Sequence, residues 1–375
     1  MGITSLLNPI DFDLPQWSAS LSDTYSLVSL LKKNQSELSL DTADVVLLSI
    51  AGDEAGDAIR TQLYALNRIA VNARILDLGE LKRGESEADF HHALSAITSY
   101  CERHRILMIL MHADRSDEYA VLNSYEEREF NLVRVDGRAR MNLSASNHGL
   151  NHMGNLLSRF KNIFTYTGIA LQKYFIDNEE LTLLNLFDSR VVRLGSFRDD
   201  NKQVEPIFRN AHSVSFDVES IRSQDFPAQR HISANGLRSE EACALAKYIG
   251  LGGELRNFAI YGVVFTEEEL KFKKEISVNL AAQIIWHVLE SYLNGVLESP
   301  HFQQDSFEEY VVRFPDMREC FTFYRSKISN RWWLKIYDER FDEDLFVPCL
   351  ESDYQETLNM DIPEIWLRYI KKMKR

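Results

Sequence analysis

The chain has 375 residues, of which 45% are hydrophobic and 26% charged, and its formal net charge is −14. This length allows one large α/β domain with an appendage, or two domains, and the composition is that of an ordinary globular protein. A broad nucleic-acid footprint needs a positive surface, so the acidic balance argues against nucleic acid as a partner.

Nothing in the sequence predicts export or a membrane partner. The opening residues, MGITSLLNPIDFDLPQW, lack the basic and apolar regions of a signal peptide, and no apolar run reaches the length of a membrane span. The cysteines are Cys101, Cys243, Cys320 and Cys349, which are far apart and form no CxxC pair. No zinc site is therefore expected, and the cytoplasm is the expected compartment.

The first part of the chain is predicted to be an extension followed by a long α/β region. Residues 1–40 form the N-terminal extension, with a short helix near Thr24–Lys33. Apolar strands and amphipathic helices then alternate: strands at 44–52, 73–79, 105–113, 132–138, 162–170, 191–195, 213–220 and 254–265, and helices at 56–69, 89–104, 240–250 and 277–293. This alternation predicts an α/β domain over residues 41–295, with three layers and a mostly parallel sheet covered on both faces. Ligands of such sheets bind at the carboxyl ends of the strands.

The last part of the chain, residues 296–375, is predicted to be a small aromatic-rich C-terminal appendage of short strands and a final helix. Its segments YVVRF, CFTFYRS, RWWLKIY and FVPCL are typical of strands. Neighbouring residues on a strand face opposite ways, so we expect one of Trp332 and Trp333 to be exposed and to contact a protein partner or a second subunit. The alternative is that these rings pack the appendage onto the main domain.

The segment LVRVDGRAR, residues 132–140, runs from a buried strand into charged residues. Asp136, Arg138 and Arg140 occupy alternate positions, so their side chains point to one face if the strand geometry continues. Burying an unpaired charge is costly, and these three residues therefore need partners. The alternative is a solvated loop of mixed charge.

Two other short motifs indicate structure rather than chemistry. GLGGE, at 250–254, follows a helix and is typical of a helix C-terminus, not of a dinucleotide-binding turn. HGLNH places His148 and His152 four residues apart, a spacing that could hold a metal on a helix. The intervening Gly149 and Asn151 favour a loop instead.

The strand end SVSFDVES resembles the SxDxD motif of the ureohydrolase family, which includes arginase, agmatinase and formimidoylglutamase. HADRS (112–116) stands where the family has GGDHS, DGRAR (136–140) where it has DAHxD, and SFDVE (215–219) where it has SxDxD. NHGL and NGLRSEEACALAKYIG also resemble the family's substrate loop and late helix. The resemblance covers roughly residues 40–295 and is greatest to the bacterial formimidoylglutamase-like proteins. It implies an arginase-like fold in which two manganese ions generate the attacking hydroxide.

The family's metal-ligand positions are only partly kept in this sequence. Three of them carry arginine and three keep a carboxylate: in chain order they are Arg115, Asp136, Arg138, Arg140, Asp217 and Glu219. The Glu that holds the substrate in the family falls at Gly262. The same alignment places His112, Asp114, Asn147 and His148 near the pocket.

The charges at these positions cancel without a metal, since three carboxylates face three guanidinium groups. Arginine cannot ligate manganese, because it has no free lone pair at neutral pH. At 4 Å and an effective dielectric of 20, each pair of like unit charges costs about 4 kcal/mol. The guanidinium groups are therefore predicted to fill the space of the metals, and no metal cofactor is expected.

These features lead to three hypotheses for function. The first is a pseudoenzyme, a non-catalytic protein of the ureohydrolase fold that acts by binding a protein or a ligand. The second is a hydrolase of linear amidines or guanidines with a rearranged site, which would use Asp136, Asp217, Glu219 and His148, with His112 nearby. The third is a sensor in which a small anionic ligand displaces an internal acid from the arginines.

Overall fold

The computed structural model describes residues 3–10, 24–31, 40–125, 128–142, 151–265, 271–315 and 320–374. A ten-stranded sheet lies at the centre of this described part. Its strands are β1 (Leu7–Asn8), β2 (Val28–Leu30), β3 (Val45–Ile50), β4 (Ile75–Leu81), β5 (Leu107–Ala113), β6 (Phe130–Val135), β7 (Ile163–Leu171), β8 (Arg190–Arg193), β9 (Ser213–Asp217) and β10 (Asn257–Tyr261). The strand order is β1-β4-β3-β5-β10-β9-β6-β7-β8, and β2 also pairs with β4.

Helices cover both faces of the main sheet. They are α1 (Glu54–Ala65), α2 (Glu87–Arg103), α3 (Glu118–Leu122), α4 (His152–Arg159), α5 (Asn178–Leu186), α6 (Leu194–Asp199), α7 (Glu205–Arg209), α8 (Ser239–Gly250) and α9 (Lys271–Asn294). Val45 and Leu47 of β3 pack into the core under α1, α8 and α9, whereas Val46 and Leu48 pack into the core under α2. Strands buried on both faces are apolar throughout, which explains the continuous apolar runs. The prediction of a three-layer arginase-like α/β fold is confirmed.

Pairing within the main sheet is parallel except where β1 meets β4. The order β5-β10-β9-β6 makes these four central strands direct neighbours. Their carboxyl ends lie at one edge of the sheet, where Arg115, Gly262, Asp217 and Asp136 follow the strands or end them. The topology thus collects residues that are far apart in the chain.

The C-terminal region forms a separate antiparallel sheet with two helices. The sheet has the order β11 (Phe307–Arg313), β12 (Cys320–Ser326), β13 (Trp332–Asp338) and β14 (Glu343–Cys349), and α10 (Glu351–Leu358) and α11 (Glu364–Met373) follow. It packs near the starts of the main strands: Arg209 Nη2 donates to the Trp332 carbonyl at 3.1 Å, and Asn210 Nδ2 to the Tyr369 hydroxyl at 2.5 Å. The appendage therefore contacts the edge opposite the predicted site.

The predicted exposure of one tryptophan is wrong, because Trp332 and Trp333 are only 5% and 3% exposed. Both faces of β13 are covered at these two positions. The Trp332 ring stacks on Tyr354 of α10, with the ring centroids 5.0 Å apart. The Trp333 ring lies 4.2 Å from the Arg209 guanidinium of the main domain. Both rings therefore pack inside the protein, as in the alternative given from the sequence.

The predicted helix near Thr24–Lys33 also differs from the structure. A short 3-10 helix covers Thr24–Leu27, and Val28–Leu30 then pairs as β2 with β4. Edge pairing with an existing strand outweighs the weak helical pattern of this segment. In the described part of the chain, no helix is long and apolar enough to cross a membrane.

Candidate functional site

Asp217, the last residue of β9, is the centre of a buried ionic network and is 0% exposed. Arg115 binds both of its oxygens: Nη2 donates to Oδ1 at 2.7 Å, and Nε donates to Oδ2. Arg134 and Arg140 approach Oδ2 at 3.2 and 3.3 Å. Burial by itself raises the pKa of Asp217, but the attraction of these guanidinium groups lowers it well below its usual range.

Arg140 connects the remaining carboxylates of the network. Its Nε lies 2.5 Å from Asp136 Oδ2, and its Nη2 lies 3.0 Å from Glu219 Oε2. The backbone of Arg140 has a φ of +55°, a conformation that is uncommon for a residue with a side chain. The left-handed residue follows a turn in which the Arg138 N–H donates to Asp136 Oδ1 at 3.0 Å. This strained turn brings the Arg140 side chain back over Asp136.

Sequence reasoning missed two members of the network, Arg134 and Glu118. Arg134 of β6 is 0% exposed; its Nη1 donates to Glu118 and its Nε to Asp136 Oδ2 at 3.1 Å. Glu118 also accepts from Ser215 and contacts His152 Nε2 at 2.6 Å. Burial raises the pKa of Glu118, but Arg134 and His152 together lower it to about 2. Arg134 lies two residues before Asp136, so the alternation along the strand could have identified it. Glu118 lies on α3, and no pattern in the sequence marked it.

Arg138 lies at the margin of the network. Its side chain is 25% exposed, and its Nε is 3.9 Å from Glu219 Oε2, beyond hydrogen-bonding distance. The guanidinium instead lies 4.0 Å from the centroid of the Phe175 ring. With Arg138 included, four guanidinium groups face four carboxylates, those of Glu118, Asp136, Asp217 and Glu219. The charges of this larger set also cancel, as the sequence predicted for three arginines and three carboxylates.

Gly262 makes room for Arg115. It has a φ of +84°, and a Cβ built there would lie 2.5 Å from Arg115 Nη2 and 2.9 Å from Asp217 Oδ1. A side chain at this position therefore cannot coexist with the observed Arg115 guanidinium. In this chain the arginine fills the space next to β10 that a carboxylate side chain from residue 262 would need.

The other predicted pocket residues lie outside this network. His112 Nδ1 is 2.6 Å from Asp53 Oδ2, and Asp114 accepts from the Ser116 N–H at 3.0 Å as the cap of a short helix. His231, which was not predicted, contacts Glu219 Oε1 through Nδ1 at 3.0 Å. Asn147 and His148 lie outside the described residues. His152 is buried against Glu118.

The residues present do not fit a binuclear metal centre. Within the ranges that the structure describes, no group of three or more His, Cys, Asp or Glu side chains could hold a metal ion. Asp136, Asp217 and Glu219 each bind at least one guanidinium group. A metal would have to displace buried arginines that carry the same charge as the ion.

Comparison with known proteins identifies the fold through solved structures alone. No protein-family model matches the chain, and no curated protein does. A formiminoglutamase from Trypanosoma cruzi, in a structure with manganese, matches with a TM-score of 0.60 and 16% identity, over 70% of this chain and 97% of that chain. The formimidoylglutamase of Bacillus subtilis matches with a TM-score of 0.61 and 13% identity, over 77% and 95%.

A third similar structure is a hypothetical agmatinase from Burkholderia thailandensis, with a TM-score of 0.53 and 15% identity, over 68% of this chain and 87% of that chain. These structures agree with the resemblance found in the sequence motifs. At such identities the likeness establishes the arginase-like fold and leaves activity to be argued from the site.

Removal of Arg140 is expected to destabilise the protein far more than removal of Arg138. Arg140→Ala removes a buried guanidinium that binds Asp136, Asp217 and Glu219 and leaves these carboxylates with fewer donors, so we expect a loss of about 3–5 kcal/mol in the free energy of unfolding. Arg138→Ala, the matched control, removes a partly exposed ring contact, and its cost should stay below about 1 kcal/mol. Urea unfolding of both variants measures the difference. Equal losses would contradict the placement of Arg140 at the centre.

Acid is expected to destabilise the protein between about pH 4.5 and pH 2. The pKa of Glu118 is about 2 in the folded protein, against an ordinary value of 4.5. A carboxyl with a lowered folded pKa stabilises the fold above its unfolded pKa, and this stabilisation is lost as pH falls through the folded value. Urea unfolding at a series of pH values measures the loss. Glu118→Gln should be less stable at neutral pH and should lose less on acidification; an unchanged pH dependence in this variant would contradict the assignment.

Proposed function

We propose that this chain is a pseudoenzyme of the arginase-like fold, a protein that acts by binding and has no binuclear hydrolase chemistry. One observation carries the proposal: Arg115 binds both oxygens of the buried Asp217 and occupies the space beside Gly262. In this arrangement a positive side chain stands where the family resemblance implies a metal ligand, and it also occupies space that a substrate-holding Glu would need.

The chemistry of the network supports the same proposal. Attack on a guanidinium or amidine carbon at neutral pH needs an activated water, which the ureohydrolases obtain from metal ions. Arginine is always charged and can supply neither a metal ligand nor a general base. The carboxylates that could act as bases are ion-paired and buried, and the guanidinium groups hold the pKa of Asp217 low. A carboxyl with such a low pKa is a weak base.

The alternative, a hydrolase with a rearranged site, has less support from the geometry. Of its predicted residues, Asp136, Asp217 and Glu219 are bound to arginines, and His148 lies outside the described residues. His112 is held by Asp53.

A protein partner or a second copy of the chain is the proposed binding target. One face of the C-terminal sheet carries Val311 and Tyr337, which are 48% and 50% exposed, on strands β11 and β13. Phe341, in the following turn, is 63% exposed. Apolar side chains exposed on one sheet face can contribute to an interaction surface. The cysteines Cys101, Cys243, Cys320 and Cys349 are free, in keeping with the proposed cytoplasmic location.

The wild-type chain is expected to show no turnover of formiminoglutamate, arginine or agmatine in the presence of manganese. Product release over hours, measured beside an active formiminoglutamase in the same buffer, tests this directly. The active enzyme controls for metal and substrate quality. Turnover that disappears in Asp217→Asn would overturn the proposal and favour the rearranged hydrolase.

Association is expected to depend on the exposed face of the C-terminal sheet. Val311→Asp places a charge on that face without touching the buried side of β11, so it should weaken self-association or partner binding while the melting temperature changes little. Sedimentation velocity of the full chain measures the first, and thermal unfolding the second. Glu309→Asp, on the same strand, is the matched control. A monomeric wild-type chain that binds no partner would contradict this surface.

A further inference from the structure

A small cavity lies between the C-terminal region and the starts of β6 and β8, at the edge of the sheet opposite the ionic network. It has a volume of about 80 Å³ and is lined by both parts of the chain, including Asn131, Thr167 and Arg190 from the main domain and Asp353, Arg368 and Tyr369 from the C-terminal helices. A water molecule needs about 10–15 Å³. The cavity is therefore large enough for several waters or for one organic molecule of a few heavy atoms.

Arg190 is the unusual side chain of this cavity. It is partly buried, and among the described residues no acceptor lies within hydrogen-bonding distance of its guanidinium and no carboxylate within ion-pairing distance. The other guanidinium of the cavity, that of Arg368, pairs with Glu364. Burial and the nearby Arg368 lower the pKa of Arg190, and the attraction of Glu364 and Asp353 offsets this only in part. A half-buried guanidinium with no hydrogen-bond acceptor at the wall of a cavity can bind an anionic group there.

Asp353 is the carboxylate of the cavity wall that complements the Arg190 guanidinium. One of its oxygens, Oδ2, accepts from the Leu350 N–H at 2.7 Å, where it caps α10. Its other oxygen has no protein donor among the described residues. The remaining acids of the cavity wall are already paired, Glu364 with Arg368 and Asp188 with Lys371. The groups left over are therefore one guanidinium and one carboxylate, which are separated by more than ion-pairing distance.

We propose that this cavity binds a small organic acid that also carries an amino group, with its carboxylate on Arg190 and its ammonium group on Asp353. Such a zwitterion satisfies both leftover groups, whereas a simple anion would approach the Asp353 carboxylate without compensation. The volume limits the ligand to the size of the smallest amino acids. This site is separate from the strand ends that carry Asp217, and the proposal does not depend on whether that network is catalytic.

The positions of Arg190 and Asp353 also explain why a bound ligand should hold the two parts of the chain together. Arg190 begins β8 of the main sheet, and Asp353 lies on α10 of the C-terminal region. A ligand that bridges them adds contacts across the interface, in parallel with the bond between Asn210 and Tyr369. Binding should therefore raise the melting temperature of the whole chain, because the ligand binds only when the two parts are docked.

Calorimetric titration of the full chain with glycine, acetate, methylamine and inorganic phosphate tests the proposal. We expect saturable binding of glycine, at least tenfold weaker binding of acetate and of methylamine, and a melting temperature that rises with glycine concentration. No saturable binding of glycine, with only water in the cavity, would overturn the proposal. Phosphate that binds more tightly than glycine would overturn the assignment of a zwitterion.

Matched variants locate the binding. Arg190→Gln should abolish the binding of glycine and acetate, and Asp353→Asn, which can still accept from the Leu350 N–H, should weaken glycine at least tenfold but leave acetate unchanged or tighter. Arg193→Gln, at the exposed end of the same strand, is the control and should bind glycine like the wild type. Glycine binding that survives Arg190→Gln would contradict the site. If a variant does not fold, the titration of the wild type with the four small molecules still tests the proposal.

Discussion

The fully buried carboxylate of Asp217 imposes the main constraint on this structure. A carboxylate removed from water is costly unless several donors compensate it, and here three guanidinium groups do so. Each of those arginines needs further acceptors, which are Asp136, Glu219 and Glu118. The result is a buried network of four acids and three arginines, with the partly exposed Arg138 at its margin.

The network also determines features of the backbone around it. Arg115 can lie against Asp217 only because residue 262 is glycine with a positive φ. Arg140 reaches Asp136 and Glu219 from a left-handed backbone position. The participating residues come from the ends of β5, β6, β9 and β10, so the ion pairs join the four central strands at one edge. Removing a member should therefore disturb the packing of several strands.

The sequence predicted the layers and the location of the site but not its full composition. Continuous apolar runs followed by charges indicated parallel strands with functional residues at their ends, and the spacing of Asp136, Arg138 and Arg140 indicated one shared face. Three positions limited the prediction. Arg134 lies inside a core strand, where a charge is not expected. Glu118 begins the short helix α3 just after β5, and no motif marked it. Arg138 turns away to Phe175, because the chain leaves strand geometry after Val135.

The tryptophans show a second limit. Alternation along β13 was correct, but it says only that Trp332 and Trp333 face opposite sides, not that one side is open. Coverage of both sides depends on α10, which follows the next strand, and on Arg209, which lies 123 residues before Trp332. The exposure of a strand residue depends on which other elements pack against it, and the alternation along one strand does not predict those contacts.

Manganese content is the most direct test of the proposed replacement of metal by guanidinium groups. The wild-type chain and a variant with Arg115→His, Arg138→His, Arg140→Asp and Glu219→Asp would both be purified in excess manganese and their bound metal measured by elemental analysis. We expect no stoichiometric manganese in the wild type and metal bound by the variant, which carries the ligand residues that the sequence resemblance implies. About two manganese ions per wild-type chain, the number in a two-metal catalytic site, would contradict the proposal.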